Sequence, residues 1–138
     1  MKISIIKSNN NLDYEYLRIL RNKPYVRKNS KNKKLIKKKE HLKWLSNIKN
    51  KQVFFLKNKS QNIGYIRVEK KYVSWALEKK YWGKLKFFLI LKKKTSKKKQ
   101  EYKCLIDTKN TKSQIVALKA GFKIIEKKNN FILYKKFN

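Results

Sequence analysis

Cysteine, histidine, proline and methionine occur once each, and glycine and alanine three times each, in 138 residues. The lone cysteine, Cys104, excludes an intrachain disulfide framework and any zinc site built on several thiolates. The lone histidine, His41, excludes a multi-histidine metal centre, so no metal is expected. A reducing, cytoplasmic setting is the expectation from this cysteine usage. No apolar run approaches the ~18–20 residues of a membrane span. The opening MKISIIKSNNN holds too short an apolar stretch for a secretory signal, and no membrane partner is expected. Acids are scarce too: 8 Asp and Glu stand against 40 Lys and Arg, for a formal net charge of +32.

What remains is enough for a core. Hydrophobic residues make up 41% of the chain and aromatics 13%, which argues against a disordered basic tail. The length suits one domain over residues 1–138, as a monomer or homodimer. Of the 40 cations, only Arg18, Arg21, Arg27 and Arg67 are arginine. Abundant Lys, Asn and Ile with little Ala, Gly, Arg and Pro is the codon signature of an A/T-rich genome. Much of the charge is therefore read as compositional drift. Its physical consequence stands: the surface attracts polyanions non-specifically and favours an anionic ligand.

The periodicity predicts a strand at Lys2–Ile6. A helix is expected over Leu12–Leu20, with Leu12, Tyr16, Ile19 and Leu20 inward and Asn10 or Asn11 as its cap. Pro24 ends it. Val26–Lys34 reads as a loop. A second helix is expected over Leu35–Ile48, with Leu35, Leu42, Leu45 and Ile48 as its stripe. Three strands follow, Gln52–Leu56, Ile63–Glu69 and Tyr72–Leu77, as an antiparallel meander. The expected remainder is a helix over Leu85–Lys98, a strand Tyr102–Asp107 and a helix Thr111–Ala120. Gly121 follows at C′, before strands Phe122–Glu126 and Phe131–Lys136. The order β-α-α-β-β-β-α-β-α-β-β describes an α/β domain: a mixed, mostly antiparallel central sheet flanked by helices.

Four segments carry chemistry. Val73–Lys84 (VSWALEKKYWGK) is strand, loop and helix start, and backbone N–H groups at such a start favour anionic oxygen. Asn110 and Ser113 stand three apart at another helix start. Ala120-Gly121-Phe122 ends that helix. RNKPYVR (Arg21–Arg27) precedes EHLKWL (Glu40–Leu45). Together these resemble the GNAT superfamily of acetyl-CoA-dependent N-acetyltransferases, over about Asp13 to Phe137. The N-terminal pattern is similar to that of acetyltransferases acting on a UDP-linked 4-amino sugar, of the pseudaminic-acid-pathway type. It is also similar to that of the group acetylating ribosomal-protein N-termini.

The resemblance implies a GNAT-type sheet, acetyl-CoA as co-substrate and a small-molecule amine or amino-sugar acceptor. It implies cofactor contacts from Trp75, Ala76, Leu77, Lys80, Trp82, Gly83, Lys84, Leu85, Lys86, Asn110 and Ser113. It places Arg21, Asn22, Arg27, His41 and Trp44 against the acceptor. Two positions of the family's Arg/Gln-x-x-Gly-x-Gly/Ala loop differ. Lys80 stands for Arg or Gln. Leu85 stands for the second Gly or Ala, which either tilts the loop or weakens the cofactor's approach. A Tyr that many members use to protonate the departing thiolate is here Ala117.

Glu69, Glu78 and His41 are the candidate bases for the acceptor amine. Each also has a structural reading: the acids as ion-pair partners, His41 as a wall residue. Asn110 serves equally as a helix cap. Cys104 reads as a buried, inert thiol. The three tryptophans fit core or lid positions. The reading is direct acetyl transfer, the carbonyl polarised by a strand N–H around Leu77. The alternatives are a GNAT-fold protein without activity, a basic nucleic-acid-binding module whose aromatics stack bases, or a protein N-terminus as the acceptor.

Overall fold

The computed structural model describes residues 2–8, 10–30, 33–45 and 51–138. Strand β1 (Ile3–Lys7) leads into α1 (Asn11–Arg21), α2 (Pro24–Arg27) and α3 (Lys38–Leu45). The meander β2 (Lys51–Asn58), β3 (Gln61–Glu69) and β4 (Tyr72–Leu77) follows. Then come α4 (Phe87–Lys94), β5 (Glu101–Asp107), α5 (Thr111–Lys119), β6 (Lys123–Lys127) and β7 (Phe131–Phe137). The strands form one sheet in the order β1-β2-β3-β4-β5-β7-β6. All neighbours are antiparallel except β4 and β5. This is the mixed, helix-flanked sheet that the sequence leads one to expect.

Alternation along the meander builds two cores, one on each sheet face. Phe55, Tyr65 and Ala76 are cross-strand partners and pack with Tyr14, Leu17 and Leu20 of α1. The neighbouring row includes Ile66 and Val68, which pack with Val73, Phe87, Leu91 and Ala117 under α4 and α5. Burying a side chain such as Leu20 or Leu91 contributes ~1.5–3 kcal/mol.

Several helical expectations are corrected. In α1 the buried residues are Asp13, Tyr14, Leu17 and Leu20, while Leu12 is 85% exposed and Ile19 is exposed as well. Helix start and rotation are set by the cap, where Asn10 Oδ1 accepts from Asp13 N at 2.8 Å. Asp13 is then drawn inward by Ser8, Asn62 and Lys57. Pro24 does more than end α1: it starts α2 at the first-turn position where proline lacks no needed N–H, and α2 takes in Val26 and Arg27 of the expected loop. Helix α3 begins at Lys38, and both Leu35 and Leu42 are exposed. Among its described residues the buried one is the polar His41, with Trp44 packed half-buried beside it. Ile48 of the expected stripe lies outside the described residues, as does the side chain of Leu45. Helix α4 stops at Lys94, because Thr95 folds its hydroxyl back onto the Leu91 carbonyl at 2.8 Å.

Asn22 is expected against the acceptor, but both ends of its amide are used elsewhere. Its Nδ2 donates to the Ile36 carbonyl at 2.9 Å, and its Oδ1 accepts from Ile36 N at 2.7 Å. It therefore clamps the segment before α3 onto the end of α1. Asn22→Ala is expected to lower the unfolding free energy by ~1–2 kcal/mol. Urea denaturation measures this, and acetyl-CoA affinity should stay unchanged.

Candidate active site

The site begins with a break in the sheet. β4 and β5 share a single registered pair, Tyr72↔Lys103, with Lys103 N–H donating to the Lys71 carbonyl at 2.7 Å. β5 is meanwhile paired along its whole length with β7. Beyond Tyr72 the two parallel strands part, and the space between them is lined by Val73–Trp75 on one side and Cys104–Ile106 on the other.

The edge of β4 facing this gap follows from ladder alternation. Glu78 N–H donates to the Ile63 carbonyl on β3. In an antiparallel pair every second residue faces its partner strand. Ala76 and Ser74 therefore point their backbone groups at β3, and Trp75 and Leu77 point theirs into the gap. The Leu77 carbonyl there accepts from Trp82 Nε1 at 2.8 Å.

Two cavities meet in the gap. The larger, about 800 Å³, runs from Trp75–Leu77 past the loop Trp82–Lys86 to the starts of α4 and α5. The smaller, about 560 Å³, lies towards α1 and α2 and is lined by Arg21, Tyr65, Arg67, Glu69 and Ser74. Trp75, Asn110 and Ser113 belong to both, as do Val26, Asn29 and Ser30.

The larger cavity is electropositive. Lys28, Lys84, Lys86, Lys109, Lys112 and Lys119 line it, with no carboxylate among its described lining residues. Gly83 holds φ +74° at its mouth, where a Cβ would meet nothing within 4 Å. The first amides of α4 lack helical acceptors by geometry, so they suit an anionic group. Leu85 lines the cavity but also packs against the core. Its bulk is thus partly absorbed by the protein. Trp82 is locked as a wall, edge-on to Tyr25 at 5.6 Å and under Lys112 Nζ at 4.7 Å.

Asn110 is placed by the turn before it. Asp107 Oδ1 accepts from Lys109 N at 2.8 Å, and the Asp107 carbonyl accepts from Asn110 N at 2.9 Å. That backbone hydrogen bond, with Lys33 behind it, holds the Asp107 carboxyl below its usual range against a cost of burial. Asn110 Oδ1 caps α5 through Ser113 N at 3.2 Å. The cap uses the amide oxygen, and Asn110 also lines both cavities.

The structure gathers Trp75, Ala76, Leu77, Trp82, Gly83, Lys84, Leu85, Lys86, Asn110 and Ser113 around the larger cavity. Lys80 is not among its lining residues; its Nζ lies 5.3 Å over the Tyr81 ring. Around the smaller cavity it places Arg21 and Glu69, but not Asn22, Arg27, His41 or Trp44. Trp44 instead donates from Nε1 to Glu69 Oε2 at 3.4 Å and lies 5.5 Å beneath Arg67. Glu69 and Glu78 stand at opposite ends of the β3–β4 hairpin, roughly 20 Å apart at strand rise. Glu78 lines neither cavity and accepts from Tyr16 OH at 3.2 Å. Burial, with the Glu78 charge behind it, pushes the Tyr16 phenol well above its ordinary range.

His41 is only 3% exposed, stacked on Trp44 at 5.6 Å. Burial depresses its pKa, while a hydrogen bond to the Tyr14 backbone opposes that. The unfolded chain therefore takes up a proton near pH 6.5 that the folded protein refuses. Stability is expected to fall as pH drops from about 6.5 towards 5. His41→Gln should flatten that limb of the urea midpoint against pH. A midpoint equally pH-dependent in the variant would assign the loss to other groups.

Cys104 is buried, and burial pushes its thiol up to about 12, so it stays protonated. Ala117 is fully buried in the core and lines neither cavity. Sequence reasoning missed Tyr65, Arg67 and Ser74. Their signal was the period of two that puts Tyr65, Arg67 and Glu69 on one face of β3, opposite Ser74 on β4. Among the described residues no group of three or more His, Cys, Asp or Glu could hold a metal, and no helix is long and apolar enough to cross a membrane.

No protein-family model and no curated protein matches the chain. Solved structures do. A domain from Methanocaldococcus jannaschii superposes with a TM-score of 0.78 at 22% identity, over 98% of this chain and 97% of that one. The Campylobacter jejuni N-acetyltransferase PseH, in complex with acetyl coenzyme A, gives 0.69 at 17% identity over 99% of both chains. A GNAT-family acetyltransferase from Streptococcus pneumoniae gives 0.72 at 15% identity, over 98% of this chain and 99% of that one. With its parted β4 and β5 and the loop after β4, this chain has the GNAT acetyltransferase fold.

Proposed function

We propose that the protein is a single-domain, acetyl-CoA-dependent N-acetyltransferase for a small amine. The observation that carries this is the gap between β4 and β5, with a lysine-ringed cavity on one side and a smaller polar cavity on the other. Two substrates can thus enter from opposite faces and meet at Trp75. The fold shared with an acetyltransferase solved with acetyl coenzyme A supports the reading.

The larger cavity fits acetyl-CoA by its chemistry. Lysines and the first amides of α4 suit pyrophosphate, and the open β4 edge suits an amide-bearing arm. Asn110 and Ser113 suit the end of that arm. Acetyl-CoA supplies an acetyl group activated as a thioester. The N–H groups of Trp75 and Leu77 face the gap and serve as donors to developing negative charge on oxygen. Glu69 accepts the proton of the incoming amine, directly or through a water. Holding both partners in one gap supplies most of the rate. An amino sugar linked to a nucleotide is the acceptor that the N-terminal resemblance favours, with Arg21 of that segment lining the smaller cavity.

Calorimetry tests the reading, with acetyl-CoA, CoA and ATP titrated at moderate salt. Acetyl-CoA is expected to bind far more tightly than ATP. Equal binding of all three, lost with salt, would leave only the +32 charge acting as a polyanion sink.

A further inference from the structure

The smaller cavity holds a concentration of arginine that the rest of the chain does not. Only four of the 40 cations are arginine, and two of those four, Arg21 and Arg67, line this one space. Arg18 lines neither cavity and pairs with Glu15. Arg21 comes from the end of α1 and Arg67 from near the end of β3, so the pairing is tertiary. The Trp44 ring, 5.5 Å from the guanidinium, steadies Arg67. Burial, and then the cations Arg67 and Arg27, hold Arg21 below its ordinary range against an opposing pull from Tyr65. Like charges gathered in a half-buried space cost free energy that a bound anion recovers. Lys70 adds a third cation, and Glu69 is the one carboxylate among the lining residues.

We propose that the acceptor amine carries its own anionic group, a carboxylate or a phosphate, and that Arg21 and Arg67 grip it. This rests on reading the smaller cavity as the acceptor side of the transfer. The planar guanidinium fork matches either oxyanion bidentately, which a lysine point charge does not. With the anion held by the two arginines, the amine end turns towards Glu69 and the junction at Trp75. A cavity of about 560 Å³ suits a small molecule in which both groups lie a few bonds apart. A polyamine, by contrast, would bring further positive charge against three cations.

The test is calorimetry on CoA-saturated protein at high salt, with matched probes. Glucosamine 6-phosphate is compared with glucosamine, alanine with alaninamide, and spermidine is added as the polycation. The first pair reads phosphate and the second carboxylate. At least one anionic probe is expected to bind about tenfold more tightly than its neutral twin. Arg21→Lys and Arg67→Lys should each erase that preference although the net charge is unchanged. Lys128→Gln, far out on the β6–β7 turn, should leave it intact. Twins that bind alike, no binding by any probe, spermidine binding most tightly, or a preference surviving in both lysine variants would each overturn the proposal. Acetyl-CoA titrated into every variant confirms a folded protein. Acetyl-CoA binding without an anion preference sinks only the anionic acceptor. Failure of acetyl-CoA to bind the unmodified protein sinks the transferase reading itself.

Discussion

Glu69→Gln is expected to lower kcat about 100-fold, within the usual range for removing a general base. Its KM for acetyl-CoA should hardly change, because Glu69 lines the smaller cavity and not the larger one. Glutamine keeps an oxygen for the hydrogen bond from Trp44 Nε1, so the wall around it should stand. The paired control is Glu78→Gln. Glu78 accepts from Tyr16 and lines neither cavity, so kcat should stay within about twofold. Steady-state kinetics on both variants decide the matter. If Glu78→Gln lost the activity and Glu69→Gln kept it, the acceptor would have to enter from the other end of the hairpin.

Gly83→Asp is expected to weaken acetyl-CoA binding about tenfold, a loss that the exposed position and solvent keep from being larger. Two properties make this position informative. Its φ of +74° belongs to the left-handed region, which aspartate tolerates better than most residues. A Cβ there would meet no heavy atom within 4 Å, so the fold should survive the change. What changes is the charge, where Lys84 and Lys86 flank the start of α4. Gly83→Ala shares the backbone strain without the charge and should bind close to the unmodified protein. Equal losses in both variants would point to loop geometry rather than to repulsion of an anion. Calorimetric titration at two salt concentrations separates the two causes.

Some elements were legible from the residues in order. Strand Tyr72–Leu77 and the pairing of its meander follow from alternation, and the Asn110 cap and the Gly121 stop follow from side-chain chemistry and positive φ. The loop around Gly83 was legible for the same reason: its residues are consecutive, so a local motif describes them. Helix faces were not. Leu12, Leu35 and Leu42 look like core residues, yet they are exposed, while Asp13 and His41 are buried. A polar residue can be buried once distant partners satisfy it, as Lys57 and Asn62 do for Asp13, and those partners are 44 and 49 residues away. No local period encodes that.

The same division runs through the site. The sequence by itself determined the strand-loop-helix at the mouth of the larger cavity, the basic character of its rim, and the lack of residues for a thiolate or multi-histidine metal centre. Only the tertiary structure decided that β4 and β5 part after one pair and that Trp75 stands where two cavities join. It also separated Glu69 from Glu78, and brought Arg21 and Arg67, 46 residues apart in the chain, to one cavity. The physical reason is that motif chemistry travels with consecutive backbone, whereas a cavity exists only where non-neighbouring strands and helices fail to close.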